Sequence, residues 1–179
     1  MLFDVAVLER RPIRFDETFG PGKLNFSGSE WEQAGDLQAV GLAELLDPAR
    51  SRTIRVRGAV RGEMQSTCAR CLELVSTHLE GKLDLFYYPM SVIARKEEVA
   101  IGRDQTDVGF YEEPGPALRE VLQEQVMLWL PMRSLCGDEC RGICTQCGTN
   151  LNRGTCECAP ATTDARWDAL HNLQLKTGL

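Results

Sequence analysis

The chain has 179 residues, 43% hydrophobic and 26% charged, enough for one large domain or two small ones with a real core and an ordinary soluble surface. Lys and Arg number 20 against 26 Asp and Glu, a net charge of −6, which excludes coating of nucleic acid by bulk attraction. The longest apolar run, Val126 to Leu130, falls far short of the roughly 20 residues of a membrane helix, and the opening MLFDVAVLER is charged too early for a signal peptide, so a cytoplasmic location is expected.

Residues 1–10 alternate loosely and predict a short strand; Arg10, Arg11, Pro12 and Ile13 read as a break, and 18–35 as a loop rich in Gly, Pro, Ser and Asn. Residues 37–46 predict a strand, with a helix as the alternative, closed by Asp47-Pro48. From Thr53 the pattern sharpens: Ile54, Val56 and Val60 share one parity, and Arg55, Arg57 and Arg61 the other. After Cys71 the alternation returns, with Val75, Leu79, Leu83, Leu85 and Tyr87 on one parity and His78, Glu80, Lys82 and Asp84 on the other. These runs form a hairpin over 53–87 whose turn is Cys68-Ala69-Arg70-Cys71.

Symmetric pairing about that turn places Val60 opposite Leu79, Val56 opposite Leu83 and Ile54 opposite Leu85. The outer face then pairs Arg61 with His78, Arg57 with Lys82 and Arg55 with Asp84. A metal knuckle at the tip can shift such a register by a residue, so the faces are firmer than the pairs. Residues 89–113 are expected to form a long loop with a short strand. Pro114 and Pro116 introduce a helix over 117–130, with Leu118, Val121, Leu122 and Trp129 at helical spacing and Pro131 as terminator. A last helix over 164–175 has Thr163 or Asp164 as N-cap and Trp167, Leu170 and Leu173 as its stripe. The expected fold is α+β: an antiparallel sheet with one or two packed helices, divided into a sheet domain, 1–131, and a cysteine-rich, zinc-ribbon-like segment, 132–179.

Eight cysteines in a reducing compartment point to metal ligands or redox thiols rather than disulfides. Their spacing is Cys68-x2-Cys71, then Cys136-x3-Cys140-x3-Cys144-x2-Cys147-x8-Cys156-x-Cys158. Only two histidines exist, His78 and His171, neither at ligand spacing, so the natural site is all-sulfur, suited to zinc or an iron-sulfur cluster. Eight thiols suit two four-ligand sites. Cys144, Cys147, Cys156 and Cys158 form a compact group, and Cys68 and Cys71 join Cys136 and Cys140; the spacing also allows a swap of partners, such as Cys136 and Cys140 with Cys156 and Cys158. A site closed by four thiolates has no open position for water, so a structural role is expected and a zinc hydrolase is not.

With these residues laid out, the chain resembles the YceD family of large ribosomal RNA subunit accumulation proteins of bacteria and plastids. The resemblance lies in CARCLE (68–73) behind an RVRG strand, in LCGDECRGICTQCGTNLN (135–152), in the CEC of 156–158 and in DARWDAL (164–170). It implies a non-enzymatic protein needed for accumulation of the large-subunit ribosomal RNA. Residues 11–50 carry no matching motif.

Two zinc ions on eight thiolates would take the net charge from −6 to about −10, so contact with RNA requires a local patch. Residues 50–71 offer one: Arg50, Arg52, Arg55, Arg57, Arg61 and Arg70 against the single acid Glu63. Arg55, Arg57, Arg61 and Lys82 share the outer face and are the candidate RNA or partner contacts; the alternative is a solvated face neutralised by Glu80 and Asp84. The leading expectation is a zinc-stabilised scaffold docking on pre-ribosomal RNA or a large-subunit ribosomal protein, with no membrane partner and no small-molecule substrate. The alternative is a thiol redox protein or sensor using Cys68 and Cys71.

Overall fold

The computed structural model describes residues 1–48, 51–93 and 108–158. The expected helix over 164–175, with His171, and Arg50 lie outside the described residues.

The long hairpin is the spine of the fold. Strand β4 (Thr53–Thr67) buries Ile54, Val56, Val60 and Met64, all of one parity, and β5 (Leu74–Pro89) buries Leu79, Leu83, Leu85 and Tyr87 of the other. Both faces are those expected, but the register is displaced by two residues: Val56 pairs with Leu85, Ile54 with Tyr87, Arg57 with Asp84, Arg61 with Glu80 and Ala59 with Lys82. The cause is the turn, which takes six residues. Cys68 N–H donates to the Glu73 carbonyl at 2.8 Å and Leu72 N–H to the Cys68 carbonyl at 2.9 Å, so the turn is centred beyond Arg70. An even displacement leaves every side chain on its own face.

Strand β3 (Leu37–Leu46) lies antiparallel to β4 along Thr53–Arg61, and β1 (Ile13–Phe19) pairs antiparallel with β3. The two-residue β2 (Glu32–Gln33) takes over beside Met64 and Gln65, where β3 no longer reaches. On the other side β6 (Val108–Tyr111) joins β5 in parallel, so the sheet is mixed, with path order β1-β3-β4-β5-β6. The expected short strand within 89–113 is β6; ahead of it the chain makes a turn of helix, Met90–Ile93.

Two corrections concern the N-terminal part. The strand expected within 1–10 is a single helical turn, α1 (Val5–Leu8), capped by Asp4, whose carboxylate accepts the Ala6 N–H at 2.8 Å. Ile13, read as a break, opens β1, where alternation buries Phe15 and Phe19. The N-terminus instead seats the helix that follows Pro116: Phe3 N–H donates to the Pro116 carbonyl and Leu118 N–H to that of Met1.

The helix expected over 117–130 forms as α2 (Leu118–Trp129). It buries Leu118, Val121, Leu122 and Val126, spaced three and four apart as one face requires. Trp129 covers β5 at Gly81, where a Cβ would stand 2.5 Å from the indole ring. Phe3, Phe15, Leu37, Ile54, Met64 and the α2 stripe form one continuous core. A second, small core of Cys68, Cys71 and Cys140, packed by Val75, Leu135 and Ile143, caps the far end of the hairpin. Its members come from both sides of the expected 131/132 boundary.

Candidate metal centre

The hairpin tip is built to aim two sulfurs the same way. After Cys71 the chain enters the left-handed region at Leu72, φ 61°, which turns the backbone beneath the thiols and returns it to β5 through the Cys68–Glu73 bond. The same device recurs at Cys144-x2-Cys147. There Cys144 N–H donates to the Thr149 carbonyl, Gly148 N–H to the Cys144 carbonyl, and Gly148 takes φ 73°. The second knuckle places glycine where the left-handed conformation costs least, whereas the first places a leucine that is 64% exposed.

Backbone bonds bring the C-terminal segment onto the tip. Ala69 N–H donates to the Ser134 carbonyl at 2.8 Å, and Ile143 N–H to the Arg70 carbonyl at 3.1 Å. The Arg70 guanidinium donates to the carbonyls of Asp138 and Cys140 at 3.1 and 3.0 Å, clamping the loop between Cys136 and Cys140. Arg153 reaches back to Glu73 on the hairpin. Of the two allocations compatible with the spacing, the fold selects Cys68, Cys71, Cys136 and Cys140 as one group and Cys144, Cys147, Cys156 and Cys158 as the other, with all four sulfurs of each within 4.8 Å of one another.

Sulfur separations within the first group include 3.8 Å for Cys68–Cys140 and 3.6 Å for Cys71–Cys136. A tetrahedral ion with metal–sulfur bonds of about 2.3 Å demands edges of about 3.8 Å, whereas a disulfide closes to about 2.05 Å. All eight cysteines are free. Both groups therefore fit a four-coordinate, thiophilic ion. Cys68, Cys71 and Cys140 are buried, so the first centre is shielded; in the second, Cys147 is exposed and the others half-buried.

The electrostatics agree with the need for a cation. The Cys71 backbone N–H draws the Cys68 thiol down to about 6, and the Thr149 hydroxyl, 3.1 Å from the Cys147 sulfur, draws that thiol down to about 6. Their neighbours move the opposite way: Cys136 is pushed up to about 12, first by its contact with Cys140, and Cys158 to about 12, first by Cys147. Four thiolates in one shell repel, so some sulfurs hold their protons unless a divalent ion takes their place.

Asn152 links the two centres. Its side-chain N–H donates to the Cys140 sulfur at 3.3 Å, its Oδ1 accepts the Arg141 N–H at 2.7 Å, and its own N–H is held by the Asn150 carboxamide at 2.9 Å. Asn152 sits between the ligand pairs of the second group yet supports a ligand of the first. Cysteine spacing gives no hint of this role, nor of the Arg70 clamp; only the short Asn-rich stretch between Cys147 and Cys156 marks it. Replacing Asn152 by leucine is expected to weaken metal binding at the first centre by about 10- to 100-fold, measured by competition with a chromophoric chelator, with the second centre little changed.

The arginine face is assembled as expected and is matched by acids. Arg55 makes a bidentate pair with Asp84 at 2.7 and 2.9 Å over the Phe86 ring, Arg57 pairs with Glu44 at 2.8 Å and Arg61 with Glu80 at 3.1 Å. Hydrogen bonds from Arg55 hold the Asp84 carboxyl below its usual range. Lys82 is exposed and makes no ion pair among the described residues. His78 is exposed opposite Glu63, away from either sulfur group. No helix among the described residues is long and apolar enough to cross a membrane.

Fold and site together define a class: a mixed-sheet protein whose central hairpin is tied to a cysteine-rich module through a four-sulfur centre. The chain belongs to the family described as Large ribosomal RNA subunit accumulation protein YceD, whose model matches residues 56–174. It shares 30% identity over 158 residues with an uncharacterized protein of Mycobacterium leprae, covering 84% of this chain and 67% of that one. An uncharacterized protein of Mycobacterium tuberculosis is 30% identical over 162 residues, covering 84% and 70%. The Arabidopsis thaliana protein named Large ribosomal RNA subunit accumulation protein YCED homolog 1, chloroplastic, is 24% identical over 163 residues, covering 73% of this chain and 48% of its own length. No solved structure matches the chain.

Proposed function

We propose that this chain is a non-enzymatic, cytoplasmic factor for accumulation of large-subunit ribosomal RNA, a scaffold held in shape by two zinc ions. The observation that carries the reading is the family match, which spans the hairpin from Val56 onward, both sulfur groups and the helix α2 in one stretch. Zinc is the ion best suited to two closed all-sulfur tetrahedra. Cys68, Cys71, Cys136 and Cys140 would hold one, and Cys144, Cys147, Cys156 and Cys158 the other. Bound there, the ion supplies no reaction; its binding energy keeps the C-terminal module on the hairpin. The alternative redox reading loses support because the sulfurs of Cys68 and Cys71 each converge on a C-terminal cysteine.

A protein partner suits the surface better than RNA does. Arg55, Arg57 and Arg61 each face a carboxylate within ion-pair distance, so a phosphate has to displace an acid at every contact. The function is tested by deleting the gene in its own organism and measuring large- against small-subunit ribosomal RNA, then restoring either the native chain or the Arg55→Ser, Arg57→Ser, Arg61→Ser triple variant. Loss of the large-subunit RNA on deletion is expected, with recovery by both. An unchanged ratio on deletion overturns the function; failure of a folded triple variant to restore it returns the arginine face to the centre of the mechanism.

A further inference from the structure

At the opposite end of the hairpin from the sulfurs, a cavity of about 320 Å³ opens between α2 and the outermost strand β6. Its wall includes Tyr87, Phe110 and Tyr111, and its rim carries Glu112, Glu120 and Glu124. The three carboxylates are exposed and have no cationic partner among the described residues, although six ion pairs are formed elsewhere. Glu120 and Glu124 stand one turn apart on α2, a like-charge pair of which only Glu120, in the first turn, is favoured by the helix N-terminus.

The second, independent observation is Tyr87. Its side chain is 5% exposed, and its hydroxyl makes no hydrogen bond among the described residues yet is not sealed in the core: it opens to the cavity, near Glu124 and Glu120. Tyr111 shows the usual outcome, its hydroxyl donating to the Arg52 carbonyl at 2.8 Å. Tyr87 lines the cavity as well as the adjoining cleft beneath Leu128, and Gly109 leaves room for its ring where any Cβ would collide with it. Burial, and then the charges of Glu124 and Glu120, hold the phenol protonated. The Tyr87 hydroxyl, the Phe110 ring and the unpaired carboxylates thus line one pocket.

The rim carboxylates do not converge as metal ligands do; among the described residues only the two sulfur groups bring their donor atoms that close. A planar organic cation fits better. A guanidinium stacks on an aromatic face, here that of Phe110, the exposed ring of the wall, and forks its N–H groups to separate carboxylates, with the Tyr87 oxygen placed to accept another. We infer that this cavity binds an arginine side chain of a basic polypeptide segment. The choice of a large-subunit ribosomal protein as the source of that segment rests on the function proposed above; the pocket chemistry does not.

The test uses the whole metal-loaded chain and, as probe, a nine-residue peptide alternating arginine with glycine, measured by titration calorimetry. A lysine peptide of the same pattern is compared with it. The arginine peptide is expected to bind saturably and more tightly than the lysine one. Glu120→Gln with Glu124→Gln is expected to weaken it by at least about tenfold, and Tyr87→Phe, which keeps the ring, by several-fold. The control is Glu30→Gln with Glu32→Gln, which removes the same charge near β2, beside Met64 and Gln65, while Tyr87 pairs with Ile54 at the other end of β4. Equal losses in both double variants would mean bulk attraction to an acidic protein, and absence of binding to the native chain would mean no such pocket; either overturns the inference. Because the readout is peptide affinity, its failure leaves the ribosomal RNA measurement untouched, and the reverse also holds.

Discussion

Replacing Cys68 by serine is expected to reduce bound metal from about two ions per chain to about one and to free residues 136–158 from the hairpin. Cys68 is fully buried and its sulfur has three neighbours to answer to: Cys140 at 3.8 Å, the Cys136 N–H at 3.4 Å, and the rest of the four-sulfur shell. A serine hydroxyl is a poor ligand for a thiophilic ion. Among the described residues the apolar packing around the centre is only Val75, Leu135 and Ile143, too little to hold the module without the ion. The second centre draws all four ligands from Cys144 to Cys158 and keeps its ion. Elemental analysis gives the metal count, and limited proteolysis gives the release, as new cleavage beyond Pro131 while the sheet stays resistant. Two retained ions, or an unchanged digest, would show that the tie does not depend on the metal.

The second large effect lies in the sheet. Gly41 on β3 and Gly58 on β4 are direct partners, and a Cβ at Gly41 would overlap the Arg57 carbonyl oxygen and the Phe15 ring while standing 2.9 Å from the Gly58 Cα. Backbone is what obstructs it, so no side-chain rotation relieves the clash. Gly41→Ala is expected to cost about 3 kcal/mol and to lower the melting temperature by roughly 6–12 °C. Gly154→Ala, with nothing within 4 Å of its added methyl, is the control and should change stability by less than about 0.5 kcal/mol. Parallel thermal denaturation of the two metal-loaded variants decides it.

How much of this was legible in the residues depends on the range over which each feature is written. The sulfur groups were readable because each is assembled from pairs close in sequence, and CxxC followed by a turn is a local pattern. How the pairs combine is a tertiary matter, settled by the Ala69–Ser134 and Ile143–Arg70 backbone bonds, which spacing does not encode. The hairpin faces were readable from parity. Its register was not, because Leu72 adopts a left-handed conformation that a leucine rarely takes, lengthening the turn by two residues. Strand β1 was hidden by Pro12 before it and by Asp16 and Glu17 within it, and the parallel approach of β6 leaves no mark on its four residues. The acids that face Arg55, Arg57 and Arg61 were half visible: Glu80 and Asp84 come from the hairpin itself, but Glu44 comes from β3.

The first centre also imposes an order in time. Cys71 and Cys136 are 65 positions apart, so a chain emerging at about 5–20 residues per second exposes the hairpin thiols for roughly 3–13 s before their partners exist. During that interval Cys68 and Cys71 are an open, two-sulfur claw at the end of an otherwise complete hairpin. An ion caught early would sit half-coordinated until the tail arrived to close its shell, and an oxidant arriving first would find the pair undefended. Arrival of Cys136 and Cys140, rather than folding of the sheet, is therefore the event that makes these thiols safe.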